Sequence, residues 1–339
     1  MNFIDQVLHD HYEEFGLVAY GLKRRWATVL LTPRFVTSRH IVALVFPRGS
    51  RSPALVVKVP RQPGDNEGVE RESDMLRQLA LLTGGRDIGV PKAVGTVSIE
   101  SHTVLVETAL TGVALDPGRV AADLDGAIEV GNRFLDQLPV TRAGEDNQGW
   151  YDRTITAPLE ALATLVPSQE LNELIETTHQ LLAPLRSWSA PAVFEHADFS
   201  HPNLLVRSSG SLEVVDWERA SADGLPGHDL VFFLQYLSES ASHSYSRERQ
   251  VTAFDDGFGP KGWASPILRR HLEQREVEGG WLPLLVCATW ARSAATLAYR
   301  LAPMAHSQLE SGTAELLKAV TGDRDYWLWR HTVATAARS

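Results

Sequence analysis

The sequence holds a single cysteine, Cys287, and three methionines in 339 residues. One cysteine inside an apolar run excludes a disulfide framework and a thiolate metal site, and it fits a reducing, cytoplasmic setting. Long hydrophobic runs are missing too. The longest, Trp281 to Trp290, falls short of the ~20 residues a spanning helix needs, and Arg292 follows it. The opening residues Met1-Asn-Phe-Ile-Asp5 show neither a basic segment nor an apolar core, so no signal peptide is expected. Basic charge is scarce: 32 Lys and Arg face 42 Asp and Glu, for a net charge of -10. That balance argues against a nucleic-acid partner and is compatible with a cationic small-molecule substrate. Internal repeats and low-complexity tracts are absent. What remains, 44% hydrophobic and 22% charged residues, is ordinary globular composition at a length that suits two lobes better than one.

The first third reads as a lead-in helix followed by a small antiparallel sheet. Ile4, Val7 and Leu8 recur at helical spacing within residues 3–15. Strands are expected at 27–32, 40–46 and 54–59, with the polar turn Pro33 to Arg39 between the first two and the turn formers Pro47 to Pro53 before the third. Two more strands are expected at 89–96 and 102–107, and Thr108-Ala-Leu-Thr-Gly112 makes a natural exit. Lys58 stands inside the apolar strand Ala54-Leu-Val-Val-Lys-Val59. A lysine there requires an anionic partner if buried, or it points to solvent from an edge strand. The helical pattern from Asn66 to Leu82 offers Glu72 as that partner, with Glu70 the alternative if the helix phase differs.

Beyond Gly118 the pattern turns helical, at 120–138 and 169–185, with a polar loop from Val140 to Ile155 between them. Asn203 to Val206 and Leu212 to Asp216 then read as a hairpin, which places Asn203 at one strand's start and Asp216 at its partner's end. A carboxylate and an amide oxygen converging there form a hard, oxygen-only set suited to Mg²⁺. Asp198, on the loop before, can accept the proton of an incoming hydroxyl. His196 reads as a holder of that loop rather than a titrating group, and His201 has no assigned role. The glycine- and aromatic-rich stretch from Asp255 to Trp263 reads as a loop. Helices at about 266–275, 280–301, 306–320 and 323–337 follow. Asp255, Asp256 and Glu239 are acids that could attract a cationic acceptor.

His196-x-Asp198-x-x-x-x-Asn203, followed by a strand ending in Asp216-Trp-Glu218, resembles the aminoglycoside phosphotransferase / choline kinase family. These are small-molecule kinases with a protein-kinase-like fold. The likeness runs from about residue 25 to about 235. It implies an α+β, two-lobed fold, with a small antiparallel-sheet N-lobe at 1–110 that binds nucleotide. A mainly helical C-lobe at 111–339 would carry catalysis and acceptor binding. It further implies ATP (or GTP) and Mg²⁺ as cofactors, Asp198 as catalytic base, and Asn203 and Asp216 as metal ligands. Lys58 would hold the α- and β-phosphates and Glu72 would position it. The backbone of Glu107 to Ala109 would meet the adenine edge. Ser38, with Thr37, would meet phosphate oxygens in a loop that lacks glycine, and Asp229 would cap a helix and brace the catalytic loop. The partner implied is a small-molecule hydroxyl acceptor, with no nucleic acid or membrane, in a monomer or homodimer. One departure stands out: Ala197 occupies a position where the family usually has glycine, a change the backbone tolerates if φ there is negative.

Two other readings are compatible with the residues. A metal-dependent hydrolase could use His196, Asp198, His201 and His228 as ligands, although it leaves Lys58 without a role. A nucleotide-binding regulatory module without activity is the other, and the presence of Asp198, Asn203 and Asp216 together counts against it.

Overall fold

Residues 2–31, 39–259, 261–306 and 312–336 are described by the structure, a computed structural model. In chain order, the N-terminal half contains α1 (Phe3–Asp10), β1 (Trp26–Leu31), β2 (His40–Pro47), β3 (Leu55–Pro60), α2 (Glu67–Leu82), β4 (Ala93–Ile99), β5 (His102–Thr108), β6 (Val113–Ala114), α3 (Pro117–Ala122) and α4 (Leu124–Leu135). Then come β7 (Val140–Arg142), α5 (Ala157–Leu165), α6 (Gln169–Leu182), β8 (Ala192–Glu195), β9 (Leu204–Val206), β10 (Leu212–Val214) and β11 (Ser221–Gly224). The chain finishes with α7 (His228–Ala241), α8 (Arg247–Phe258), α9 (Ala264–Glu273), α10 (Leu282–His306), α11 (Gly312–Thr321) and α12 (Arg324–Ala336). This is the α+β, protein-kinase-like architecture, with an antiparallel N-terminal sheet and a mainly helical C-terminal part. No helix among the described residues is long and apolar enough to cross a membrane. Contacts divide the chain into two compact units, residues 1–115 with 202–220, and residues 116–201 with 221–339. The hairpin 202–220 therefore groups with the N-terminal unit, a grouping that a single cut at residue 110 leaves out.

In the first unit, the runs rich in Val, Leu and Ile form a sheet of order β1-β2-β3-β5-β4, antiparallel throughout. Strand side chains alternate between faces. One face carries Ala43, Val45, Leu55, Val57, Val104 and Val106, and α1 covers it with Ile4, Val7 and Leu8. Lys58 belongs to the other face. Because β3 lies in the middle of the sheet, Lys58 is not on an edge strand. A second, three-stranded sheet, β10-β9-β6, belongs to the same unit. Gly89 fastens it: its carbonyl accepts the Val214 amide at 2.8 Å, its φ is +85°, and a Cβ there would lie 2.2 Å from the Leu212 carbonyl oxygen. Only glycine fits such a position.

The second unit is helical around α7, which is buried along almost its whole length. The helix expected at 120–138 is divided in two. Asp123 ends α3 and caps α4, its side chain accepting the Gly126 amide at 2.9 Å, so the local cap overrides the continuous periodicity. Gly131 lets α4 approach α7 closely, since a Cβ there would lie 2.0 Å from the Phe233 ring. The loop expected from Asp255 is corrected: residues up to Phe258 are helical, in α8. A glycine inside a helix is a penalty of only ~1 kcal/mol, and burial of Ala253, Phe254 and Gly257 on one face offsets it. A short sheet, β11-β8-β7, completes this unit. Its middle strand delivers His196.

Candidate functional site

On the face of the N-terminal sheet opposite α1, Lys58 is 6% exposed and central. Its ammonium donates to both oxygens of Glu72, at 2.6 and 2.7 Å. Glu107 and Asp216 each place a carboxylate oxygen 3.5 Å from it. Burial alone would pull the ammonium down, but the charges of Glu107, Glu72 and Asp216 outweigh it and hold Lys58 well above its ordinary value. Burial pushes Glu72 up while Lys58 pulls it down. Glu107 is pushed up to about 8, first by burial, against the pull of Lys58. Glu72 Oε1 also accepts the Trp217 amide at 2.8 Å, which ties α2 to the segment that follows Asp216. Glu70 points elsewhere, accepting the Thr103 hydroxyl at 2.8 Å.

The hairpin supplies the oxygen donors. Pairing of Leu204 with Val214 and a 3.0 Å bond from the Val215 amide to the Asn203 carbonyl bring Asn203 to the same end of the ribbon as Asp216. Asn203 is buried, whereas the Asp216 side chain is 42% exposed. Asp216 adopts a φ of +69°, a region open to Asp at modest strain. One carboxylate and one amide oxygen fit a hard cation such as Mg²⁺.

Register also shows what the sequence reading missed. Leu31 pairs with Val42, and Val42 with Lys58; Val29 pairs with Leu44, and Leu44 with Val56. These apolar side chains therefore share the face of Lys58. Val29 and Leu31 are exposed and Val42, Leu44 and Val56 are half-buried, which leaves an apolar shelf beside a cation. The Glu107 side chain lies on this face as well, so its contribution is not confined to its backbone. The Ala109 amide donates to the Ala54 carbonyl at 3.0 Å and is engaged in the sheet. The alternation of residues 102–107 carried the signal for Glu107, as an acid at a site-facing position. Ser38 and Thr37 lie outside the described residues.

Glu218 extends the cluster. Its carboxylate lies 3.1 Å from His40 Nδ1. Burial pushes Glu218 up, but the hydrogen bond and charge of His40, with Lys58 and Arg219, bring it down to about 2. Further back, Glu213 is buried and accepts the amides of Thr111 and Gly112, at 3.2 and 2.8 Å, together with Arg207 Nε at 2.6 Å. It fixes the exit from β5.

In the second unit, the loop after β8 carries Asp198, half-buried. His196 is fully buried and its Nδ1 accepts the Asp198 amide at 3.2 Å. Asp229 holds the same loop, accepting the amides of His196 and Ala197 at 2.7 and 2.8 Å. It does not cap α7, whose N-cap is Gly227 without a side-chain bond. Burial pushes the Asp229 carboxyl up to about 7, with the charge of Glu195 adding to it and the two amides and Arg292 opposing. Phe199, invisible to motif reasoning, anchors the loop between Phe134 and Phe233, with ring centroids 5.5 and 5.2 Å away. Ala197 has a φ of +62°. The condition of a negative φ is not met, so the alanine sits where glycine is preferred.

The hydrolase reading fares poorly. His196 Nδ1 is engaged by the Asp198 amide, and His228 Nδ1 lies 3.3 Å from the Arg292 guanidinium. No group of three or more His, Cys, Asp or Glu side chains among the described residues is arranged to hold an ion. Two of the three acids considered for an acceptor are also occupied. Glu239 is buried and accepts from Gln235 at 2.7 Å, and Asp255 pairs with His331 at 2.6 Å.

A family model described as "Phosphotransferase enzyme family" (APH) matches residues 43–266. The chain belongs to that family. The matched span takes in Lys58, Glu72, Asp198, Asn203 and Asp216, and the family's activity class is phosphotransfer. A search of curated protein sequences finds no significant match. Among solved structures, the chain is similar to a thermostable mutant of the aminoglycoside phosphotransferase APH(4)-Ia in ternary complex with AMP-PNP and hygromycin B. The two share 15% identity, with 95% of this chain and 98% of that one covered and a TM-score of 0.56. A thermostable mutant of the same enzyme in its apo form gives 15% identity, 96% and 100% coverage and a TM-score of 0.58. A putative fructosamine-3-kinase from Haemophilus somnus 129PT gives 13% identity, 92% and 96% coverage and a TM-score of 0.52. At these identities the likeness is one of fold.

Proposed function

We propose that the protein is an ATP- and Mg²⁺-dependent kinase that transfers the γ-phosphate to a hydroxyl of a small molecule. The acceptor class spans aminoglycoside-like and other antibiotics, amino-alcohols and sugars, and GTP is the alternative donor. The observation that carries this reading is the buried Lys58–Glu72 pair, set beside Asp216 on a sheet face that is otherwise an apolar shelf. A buried ammonium next to apolar surface suits a ligand with a flat base and a polyphosphate.

In this reading Val29, Leu31, Val42, Leu44 and Val56 receive the base. Lys58, oriented by Glu72, neutralises the α- and β-phosphates. Asn203 and Asp216 would hold Mg²⁺, which supplies charge neutralisation on the phosphates when bound. Asp198 orients the acceptor hydroxyl and takes its proton, while His196 and Asp229 fix the backbone that carries it. Phosphoryl transfer asks little covalent chemistry of the protein, so positioning and charge carry the rate. Family membership and folds that bind AMP-PNP in a related enzyme support the donor assignment. The test is a phosphate-transfer screen with ATP and Mg²⁺ over hydroxylated metabolites and antibiotics, with Asp198→Asn as the control. Transfer by the unmodified protein and its loss in the variant support the reading. Equal transfer by both overturns it.

A further inference from the structure

Glu195 is the last residue of β8 and the one before His196. It is buried in an otherwise apolar strand, and nothing in the phosphotransfer reading uses it. Its partner comes from far along the chain. Arg292, on α10, donates to Glu195 Oε1 at 2.6 Å and to Oε2 at 3.2 Å. The Leu225 amide adds a bond to Oε2 at 2.9 Å. The same Arg292 Nη1 lies 3.3 Å from His228 Nδ1, and His228 immediately precedes Asp229. One guanidinium thus meets both chain segments that determine the loop: the strand end that enters it and the start of the helix whose Asp229 grips its amides.

We infer that the Glu195–Arg292 pair is a positioning device that holds the Asp198 loop in its working geometry. The inference rests on the proposed phosphotransfer reading for its consequence in catalysis, but its structural part stands on the pair itself. The loop needs such a device. Ala197 is held at φ +62°, a conformation that persists only when its surroundings over-determine it. What over-determines it is the Asp229 carboxyl, whose two oxygens each accept one amide.

The charges around Asp229 and the neighbouring Glu195 show why Arg292 matters. Glu195 comes from β8, His228 from the start of α7, Arg292 from α10, and Arg275 from the segment after α9. Arg275 is already engaged, donating to the Leu135 carbonyl at 2.6 Å and lying 3.6 Å from Asp136, which also meets His271. Without Arg292, Glu195 and Asp229 are two buried carboxyls that have lost the cation they share, and the pair holds a proton to higher pH. A protonated Asp229 has lost one of its two acceptor oxygens. The loop amides then open, and the strained Ala197 relaxes.

The experiment uses the full chain with Arg292→Met, Arg292→Lys, Glu195→Gln and the double variant Glu195→Gln/Arg292→Met. Amide hydrogen exchange of the peptide containing His196 and Ala197 is followed from pH 6 to pH 9, together with thermal melting. Arg292→Met is expected to raise exchange in that peptide by ~10-fold beyond what the melting shift accounts for. Arg292→Lys, which keeps the charge, and the double variant, which removes the isolated carboxylate, recover protection. With the acceptor identified by the screen above, kcat falls ~10- to 100-fold in Arg292→Met while KM for ATP stays within about twofold. The acid limb of its kcat profile moves to higher pH. Unchanged local exchange in a folded Arg292→Met overturns the inference, as does a KM effect without a kcat effect. Should Arg292→Met not fold, Glu195→Gln and Arg292→Lys decide by the same exchange measurement. If the unmodified protein transfers no phosphate, the exchange measurement still decides the positioning role.

Discussion

Lys58 gives both its closest hydrogen bonds to Glu72, at 2.6 and 2.7 Å, and one of the receiving oxygens also takes the Trp217 amide at 2.8 Å. Strand β3, helix α2 and the segment after Asp216 are joined through a single carboxylate. Glu72→Gln keeps the shape and an acceptor oxygen but removes the charge, so Lys58 shifts toward Asp216. We expect kcat/KM for ATP to fall by ~10²-fold, with a stability loss of at most ~3 kcal/mol. Initial rates and denaturant unfolding of the purified variant check both.

Ala197 provides a stability test away from the chemistry. A non-glycine residue in the left-handed region is disfavoured by ~1–2 kcal/mol, and glycine returns part of that as chain entropy. Ala197→Gly should therefore stabilise the protein by up to ~1 kcal/mol. Ala197→Val should destabilise it by more than that, because a β-branched residue is an outlier there. Unfolding midpoints in urea read both signs.

The pH dependence of stability follows from Asp229 and Glu107. Each carboxyl is raised in the fold, mainly by burial, to about 7 and about 8. Between the ordinary carboxylate range and those values, the folded chain keeps protons that the unfolded chain has lost. Stability therefore falls as pH rises from about 5 to about 8, by a few kcal/mol at most. Glu218 acts in the opposite sense at the acid end. Lowered to about 2, it contributes stability that is lost as pH drops below about 4. Glu107→Gln should flatten the fall above pH 7, which unfolding curves at pH 5, 6, 7 and 8 measure.

Glu213 is the hidden brace of the exit from β5. Glu213→Ala leaves the Thr111 and Gly112 amides and Arg207 without their acceptor, and should cost about 2–4 kcal/mol. Glu213→Gln, which keeps one acceptor oxygen, should lose less than half of that. Thermal or denaturant unfolding of the two variants separates them.

How far the sequence was legible can be traced through these residues. A lysine in an apolar strand demands a carboxylate, and helix phase points to Glu72, because local periodicity determines both. The N-terminal sheet and the hairpin around Asn203 and Asp216 follow from the same alternation and turn chemistry. The side-chain position of Glu107 is legible, since its strand alternates regularly and puts it on the face of Lys58. Two features lay beyond reach. Glu195 and Arg292 are 97 residues apart, and no periodicity links a strand end to a distant helix. The φ of Ala197 is imposed by two bonds to Asp229, a tertiary constraint that residue type alone does not carry. The end of helix α8 is not legible because Gly257, with Gly259 and Gly262 beyond it, suggests a loop, whereas packing of Ala253 and Phe254 outweighs the propensity of Gly257.

The most direct measurement of the central claim is transfer of labelled phosphate from γ-labelled ATP, with Mg²⁺, to a panel of hydroxylated small molecules. It compares the unmodified protein, Asp198→Asn and the unmodified protein with excess chelator. The account predicts that at least one acceptor is labelled on a hydroxyl, that Asp198→Asn lowers the rate by ~10²- to 10⁴-fold, and that chelation abolishes it. Undiminished labelling by Asp198→Asn, or labelling indifferent to the chelator, would contradict it.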